Sequence, residues 1–240
     1  MTSNTETIQP APGFLPGPVL LLGAPGVGKG TQAQALLAIF NIPQISTGDL
    51  LRANRRNHTA LGLEAEKVMS LGQLVSDDLV NQMVAERLAQ PDTARGYILD
   101  GFPRTLNQAA WVDSHLNTPS DPTKTALPVV AVSIEVGYNQ LLCRITGRRI
   151  CPVCKSIYNV FSNPPKVADL CDVEGAVLEQ RADDTEAVFA ERMKTFHAQT
   201  APVVDHYRGL GRFEAVNGDQ PVETVTAGIL AALARLRKQG

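Results

Sequence analysis

Apolar residues fall along the chain in short unbroken runs that alternate with helical stripes. Val19–Leu22 is the first run, and it breaks at Gly23 into a glycine-rich turn. Beyond the turn, Ala33, Leu36, Leu37 and Phe40 recur at i, i+3, i+4 and i+7, the buried stripe of a helix opening at Lys29. Pro43 closes the next turn, and Gln44–Ser46 is long enough for a second strand. Helices follow through Leu71 and over Ser76–Ala89, then a strand over Arg95–Asp100 and a helix holding Gln108 and Trp111. Val129–Val136 reads as another buried strand, followed by a helix with Leu141, Leu142 and Arg144. An amphipathic helix spans Asp183–His197, Arg212–Val216 forms the last strand, and Pro221–Lys238 the closing helix. This alternation predicts an α/β fold, a parallel sheet flanked by helices.

Two segments break the pattern. Residues 1–17 carry prolines and glycines without periodicity and read as a flexible extension. Residues 117–128 form a proline-punctuated surface loop. A third stretch, from Cys151 to about Arg181, is rich in turn residues and reads as an inserted β-rich subdomain.

Bulk composition narrows the function classes. The 240 residues carry a net charge of −2, so no broad basic field draws the chain to nucleic acid or an anionic membrane. No apolar run reaches the ~20 residues of a membrane span, and the first residues lack the basic and apolar regions of a secretory signal. Four cysteines, three at metal-type spacing, suit a reducing cytosol, so the protein is expected to be cytoplasmic.

The candidate chemistry begins after the first strand. Gly23, Gly28 and Lys29 complete a Gly-x4-Gly-Lys loop, which sets backbone N–H groups as an anion nest at a helix N-terminus. Gly30 stands where a hydroxyl is usual, and Thr31 comes one residue later. The strand ending in Asp100 supplies a carboxylate of the kind that helps hold hydrated Mg²⁺. Gly101 follows it, so no adjacent Glu polarises an attacking water, which favours phosphoryl transfer over ATP hydrolysis. Cys151, Cys154, Cys171 and Glu174 form a C-x2-C-x16-C-x2-E array with the spacing of a structural zinc site. Glu174 is expected as the fourth ligand, with Asp172 or water as alternatives. Cys143 is expected to be a small buried hydrophobe.

GAPGVGKGT, STGDLLR, DGFPRT and LEQRADD with the following ERM occur in this order, and with them the chain resembles the adenylate kinases of the long-lid bacterial type. The resemblance runs from about Val19 to the C-terminus, and a Gly-Lys-Gly-Thr loop is the family's own form. It implies a P-loop NTPase-type core over 18–45, 76–146 and 185–240, a helical nucleoside-monophosphate-binding (NMP) segment over 46–75, and a small β-rich lid over 147–184. It implies reversible transfer between Mg·ATP and AMP to give two ADP, by a monomer. By motif match, Gly26, Val27, Gly28, Lys29, Gly30 and Thr31 hold ATP, with Arg144 and Arg148. Thr47, Arg52, Val75, Gly101, Arg104 and Gln108 hold AMP, with Arg181 and Arg192. Lys29, Arg104, Arg148, Arg181 and Arg192 act on the transferring group, and Thr31 and Asp100 serve Mg²⁺. Glu174 departs from the Cys or Asp that metal-bearing lids of the family carry. Thr47, Gln108 and the long lid favour AMP over the acceptors of the similar uridylate–cytidylate kinases. Hinges are expected at Gly48, Gly72 and Gly147. An ATPase or a non-catalytic nucleotide sensor would not need this complete arginine set.

Overall fold

The computed structural model describes residues 14, 16–116 and 127–238; most of the tail expected over 1–17 and most of the 117–128 loop lie outside the described residues. Seven strands and nine α-helices follow in chain order among them. They begin with β1 (Gly17–Leu22), α1 (Lys29–Phe40), β2 (Gln44–Ser46), α2 (Thr47–Arg56), α3 (Ala60–Ser70), α4 (Asp77–Leu88) and β3 (Gly96–Asp100). Next come α5 (Leu106–Leu116), β4 (Val130–Glu135), α6 (Tyr138–Thr146), β5 (Arg148–Ile150) and β6 (Ile157–Asn159). The chain closes with α7 (Glu186–Thr195), α8 (Ala201–Gly209), β7 (Phe213–Asn217) and α9 (Val222–Leu236).

Five strands form one parallel sheet in the order β2-β3-β1-β4-β7. Alternate residues of β1 serve the two faces. Val19 and Leu21 pack with Leu36 of α1 and Ile229 and Leu233 of α9. Leu20 and Leu22 pack with Val84 of α4, Val112 of α5 and Tyr207 of α8. Each central strand is therefore buried on both sides, which is why its sequence is continuously apolar. The chain leaves β1 toward β2 on one side and returns to β4 on the other. Loops at the carboxyl ends of β1, β2 and β3 thus open into one crevice, the usual ligand position of such sheets.

Several expectations are adjusted. Leu37 is only half-buried, while Gln32 is buried and bonded to Val222 O and Thr226 Oγ1. Cys143 is exposed, because it lies on the face of α6 opposite Leu141 and Ile145, which reach the core. Gly48 lies inside the first turn of α2 and not between elements. The chain is already ordered before Val19: Gly17 opens β1, and Phe14 packs on Phe40 with ring centroids 5.8 Å apart.

β5 and β6 pair antiparallel in the inserted segment, with short bridges from Ile150 to Glu179 and Leu170 to Val177. Its own core is Cys151, Tyr158, Cys171 and Leu178. Two of these four buried residues are thiols, so little apolar area holds the segment together.

Candidate active site

The loop after β1 turns sharply into α1, and Gly28 takes the N-cap in a left-handed conformation. Lys29 folds back over this loop, Nζ donating to Gly23 O at 2.8 Å and Ala24 O at 3.1 Å. Its ammonium is thus held above the amide nest with one proton direction left for a ligand. Burial, together with Arg104, Arg148 and Arg192 nearby, lowers the Lys29 pKa to about 8, and Asp100 opposes the shift. A cation destabilised by other cations marks a place prepared for an anion.

Asp100 ends β3 in register with Leu21 of β1 and Ser46 of β2. Its Oδ2 accepts from Gln44 Nε2 at 2.9 Å, and Gln34 Nε2 donates to Gln44 Oε1 at 2.6 Å. Asp100 stands beside the start of α1, where Thr31 follows. A Cβ at Gly30 would lie 3.8 Å from Asp100 Oδ2, and a carboxylate and a hydroxyl are hard oxygen donors of the kind hydrated Mg²⁺ prefers, so these residue types fit the ion.

Gly101 shows why glycine is needed next. Its φ is +75°, and a Cβ would lie 2.7 Å from Arg104 Nη2. With that space clear, Arg104 Nε donates to Gly101 O at 2.7 Å, and Thr47 Oγ1 donates to the same oxygen at 2.8 Å. Burial and the charges of Arg192 and Arg52 push Arg104 down to about 10, against Asp100. Arg52 donates through Nη2 to Asp49 Oδ1 at 2.7 Å, at the start of α2 capped by Ser46. That pair holds Asp49 below the usual carboxylate range despite its burial.

The remaining arginines come from the lid and its borders. Arg144 donates to Val27 O at 3.2 Å and Gly218 O at 2.9 Å, so it joins the glycine loop to the turn before α9. Arg148 grips Asp184 through Nε at 2.8 Å and through Nη2, and Asp184 is only 1% exposed. Arg192 pairs with Asp183 and reaches Asp184 at 4.0 Å. Arg181 is lowered to about 10 by burial and by the charges of Arg148 and Arg52. Val75 is buried at the wall of a cavity of about 460 Å³ that also takes in Asp77, Thr105 and Thr195. Gln108 is buried behind it.

The structure therefore brings Lys29, Arg104, Arg148 and Arg192 into one electrostatic neighbourhood from four elements. Sequence reasoning quoted the RADD stretch but gave Asp183 and Asp184 no part. They hold the two arginines nearest the lid. It also passed over Gln44 and Asp77, whose partners lie on other elements, so no local spacing marks them.

In the lid, the Sγ atoms of Cys151, Cys154 and Cys171 all lie within 4.8 Å of one another. Tyr158 OH faces Cys171 Sγ at 3.5 Å, and with the backbone N–H groups of Glu174 and Val173 it lowers the thiol to about 6. Three sulfurs gathered this way, with Cys171 readily ionised, fit Zn²⁺, which takes thiolate ligands. The Glu174 and Asp172 carboxylates stand outside this group: Glu174 is exposed, and Asp172 Oδ1 accepts from Lys166 N at 2.8 Å. Three of the expected four ligands are thus assembled, and the Glu174 carboxylate lies outside that group.

A family model described as adenylate kinase matches residues 21–212. The adenylate kinase of Methanocella arvoryzae is 43% identical over 217 residues, covering 90% of this chain and 98% of the relative. That of Desulforudis audaxviator is 44% identical over 217 residues, covering 90% and 99%. That of Carboxydothermus hydrogenoformans is 44% identical over 215 residues, covering 90% and 98%. A matched segment that contains the whole phosphate crevice, together with relatives covered almost end to end, makes this chain a member of the adenylate kinase family.

Proposed function

We infer that the protein is a nucleoside monophosphate kinase that carries out Mg·ATP + AMP = 2 ADP, and we assign its residues as follows. The amides of Gly26, Val27, Gly28, Gly30 and Thr31 with Lys29 receive the β- and γ-phosphates of ATP, while Arg144 borders the ATP side. Arg52 and Arg104 receive the AMP phosphate, with Thr47, Gly101 and Val75 lining that half and Gln108 meeting the base. Arg148, Arg181 and Arg192 close on the transferring group. Asp100 and Thr31 would hold the hydrated Mg²⁺ that arrives with ATP, an ion that draws charge off the phosphoryl oxygens when bound. No side chain acts as nucleophile, since the AMP phosphate oxygen attacks the γ-phosphorus directly. What the chain supplies is alignment of two polyanions and exclusion of water.

The observation that carries this reading is the Lys29 ammonium held over the glycine loop within the field of Arg104, Arg148 and Arg192. Such a concentration of cations stabilises charge that spreads over the phosphoryl oxygens. Arginine suits it because its planar fork meets two phosphate oxygens at once.

The units proposed are a core over 18–45, 76–146 and 185–240, an NMP segment over 46–75 and a lid over 147–184. Gly72 and Gly147, which stand at helix ends, serve as hinges. Zn²⁺ in the lid is held by Cys151, Cys154 and Cys171, and the exposed Glu174 side chain rotates inward to complete it. Its role is structural. The protein works as a cytoplasmic monomer on ATP, AMP and ADP, with no nucleic acid or membrane partner; the net charge of −2 supports this. Among the described residues no helix is long and apolar enough to cross a membrane.

The deciding experiment is a coupled assay of ADP formation from ATP with AMP, CMP and UMP as acceptors. AMP is expected to give the highest kcat/KM by a wide margin. Equal values for CMP or UMP would overturn the acceptor assignment, and no ADP with any acceptor would overturn the reaction.

A further inference from the structure

Gln108 is 2% exposed, and both ends of its amide are tied. The Arg104 backbone N–H donates to Oε1 at 2.7 Å, and Nε2 donates to Asp77 Oδ1 at 2.8 Å. These two partners leave no freedom over which end is which. An N–H can only donate, so oxygen must face Arg104, and a carboxylate can only accept, so nitrogen must face Asp77. Asp77 is fixed in turn, since its Oδ2 accepts from Thr105 Oγ1 at 2.9 Å. Thr105 caps α5, its hydroxyl accepting from the Gln108 backbone N–H at 3.1 Å. The carboxylate at the first residue of α4 and the amide in the first turn of α5 thus form one closed network beside the 460 Å³ cavity.

We propose that Asp77 is a specificity-determining residue: by holding the Gln108 amide in one orientation, it makes the site accept a 6-amino purine and reject a 6-oxo purine. The inference rests on the reading above that Gln108 meets the AMP base. With its orientation set, the amide has one lone pair on Oε1 and one N–H on Nε2 left over. Adenine offers the complement, an N6–H donor and an N1 acceptor. Hypoxanthine offers an O6 acceptor and an N1–H donor, so both contacts become mismatches. An amide free to turn over would meet either base, whereas here the turn sets two acceptors against each other at Asp77 and two donors at the Arg104 N–H, and removing the Asp77 carboxylate lifts the first of these two penalties. Sites that leave a buried polar group unpaired against the wrong substrate discriminate strongly. Asp77 acts through Gln108 and is therefore a positioning residue.

The test compares AMP with IMP as acceptors in wild type, Asp77→Ala and Asp77→Asn. The quantity read is the ratio of the two kcat/KM values, which is internal to each preparation and unaffected by any loss of folded protein. Wild type is expected to favour AMP strongly. Asp77→Ala should lower the ratio by about 10-fold or more, mainly through improved use of IMP relative to AMP. Asp77→Asn should keep the ratio within about threefold of wild type, because its Oδ1 still accepts from Gln108 and its amide donates to the Thr105 hydroxyl. A ratio unchanged in Asp77→Ala, or lost equally in Asp77→Asn, would overturn the proposal. If instead Gln108→Ala leaves the KM for AMP untouched, or wild type uses IMP as well as AMP, the base-contact reading itself fails.

Discussion

Lys29 shows how one side chain records the charge its surroundings expect. Its folded pKa of about 8 lies below the ordinary value of 10.5 because burial and three arginines oppose its charge. Between these values the unfolded chain binds the proton and the folded chain does not, so this residue makes stability rise with pH across that window. Its charged form below pH 8 is a cost to the empty fold. Bound polyphosphate reverses the balance by favouring the cation, so ATP binding at about pH 9 should take up close to one proton. Calorimetry in buffers of different ionisation heat would measure the uptake, and Lys29→Met should abolish it. In the same way kcat/KM for ATP should decline above about pH 8 while kcat holds to higher pH, since the loaded site keeps Lys29 protonated.

Two parts of the fold are fastened by groups other than apolar side chains. The end of α9 is fastened to the sheet by Arg237, which donates to Pro16 O at 2.8 Å, to Pro18 O at 2.8 Å and to Pro128 O. Burial lowers this guanidinium to about 10, and no carboxylate is among those partners. Arg237→Ala leaves these carbonyls at the start of β1 and before β4 without their donor, and should cost about 2–4 kcal/mol. A denaturant titration would read this loss, with the kcat of the remaining folded protein near wild type, because the clamp lies at the amino ends of β1 and β4, and the crevice lies at the carboxyl ends of the strands. The lid's own core cluster is only Cys151, Tyr158, Cys171 and Leu178, so its metal is expected to be part of its folding. Protein purified without chelator should hold about one zinc per chain. Removal of the metal should melt the lid at a lower temperature than the parallel-sheet core, and Cys151→Ser should mimic it. Glu174→Ala should leave zinc bound but easier to strip by a chelator; no change in its release would remove Glu174 as a ligand. Zinc well under one per chain in wild type would sink the site.

Over the whole molecule, function comes from convergence. The apolar runs and the 3.6-residue stripes determined the α/β class, since a strand buried on both faces and a helix buried on one leave different periods in any sequence. The glycine loop was equally legible, because it needs residues without side chains at consecutive positions. The four motifs in order carried the family and with it the residues proposed for the site. Cys151, Cys154 and Cys171 were legible as a cluster because two of the three lie in one tight turn. What the sequence alone could not supply were pairings made across space. Asp184 under Arg148, Gln44 against Asp100 and Asp77 against Gln108 each join residues at least 31 positions apart. Cys143 was misread for a related reason. Hydrophobicity states what a residue tolerates, whereas the face of α6 that meets the sheet is set by Leu141 and Ile145 docking together. The Glu174 side chain was placed by spacing alone, and spacing fixes only the backbone's reach; which way an exposed carboxylate turns depends on the fold around it. Local chemistry and periodicity are written residue by residue along the chain. The orientation of an amide or the partner of a buried charge exists only once distant elements have packed, and only the tertiary structure decides it.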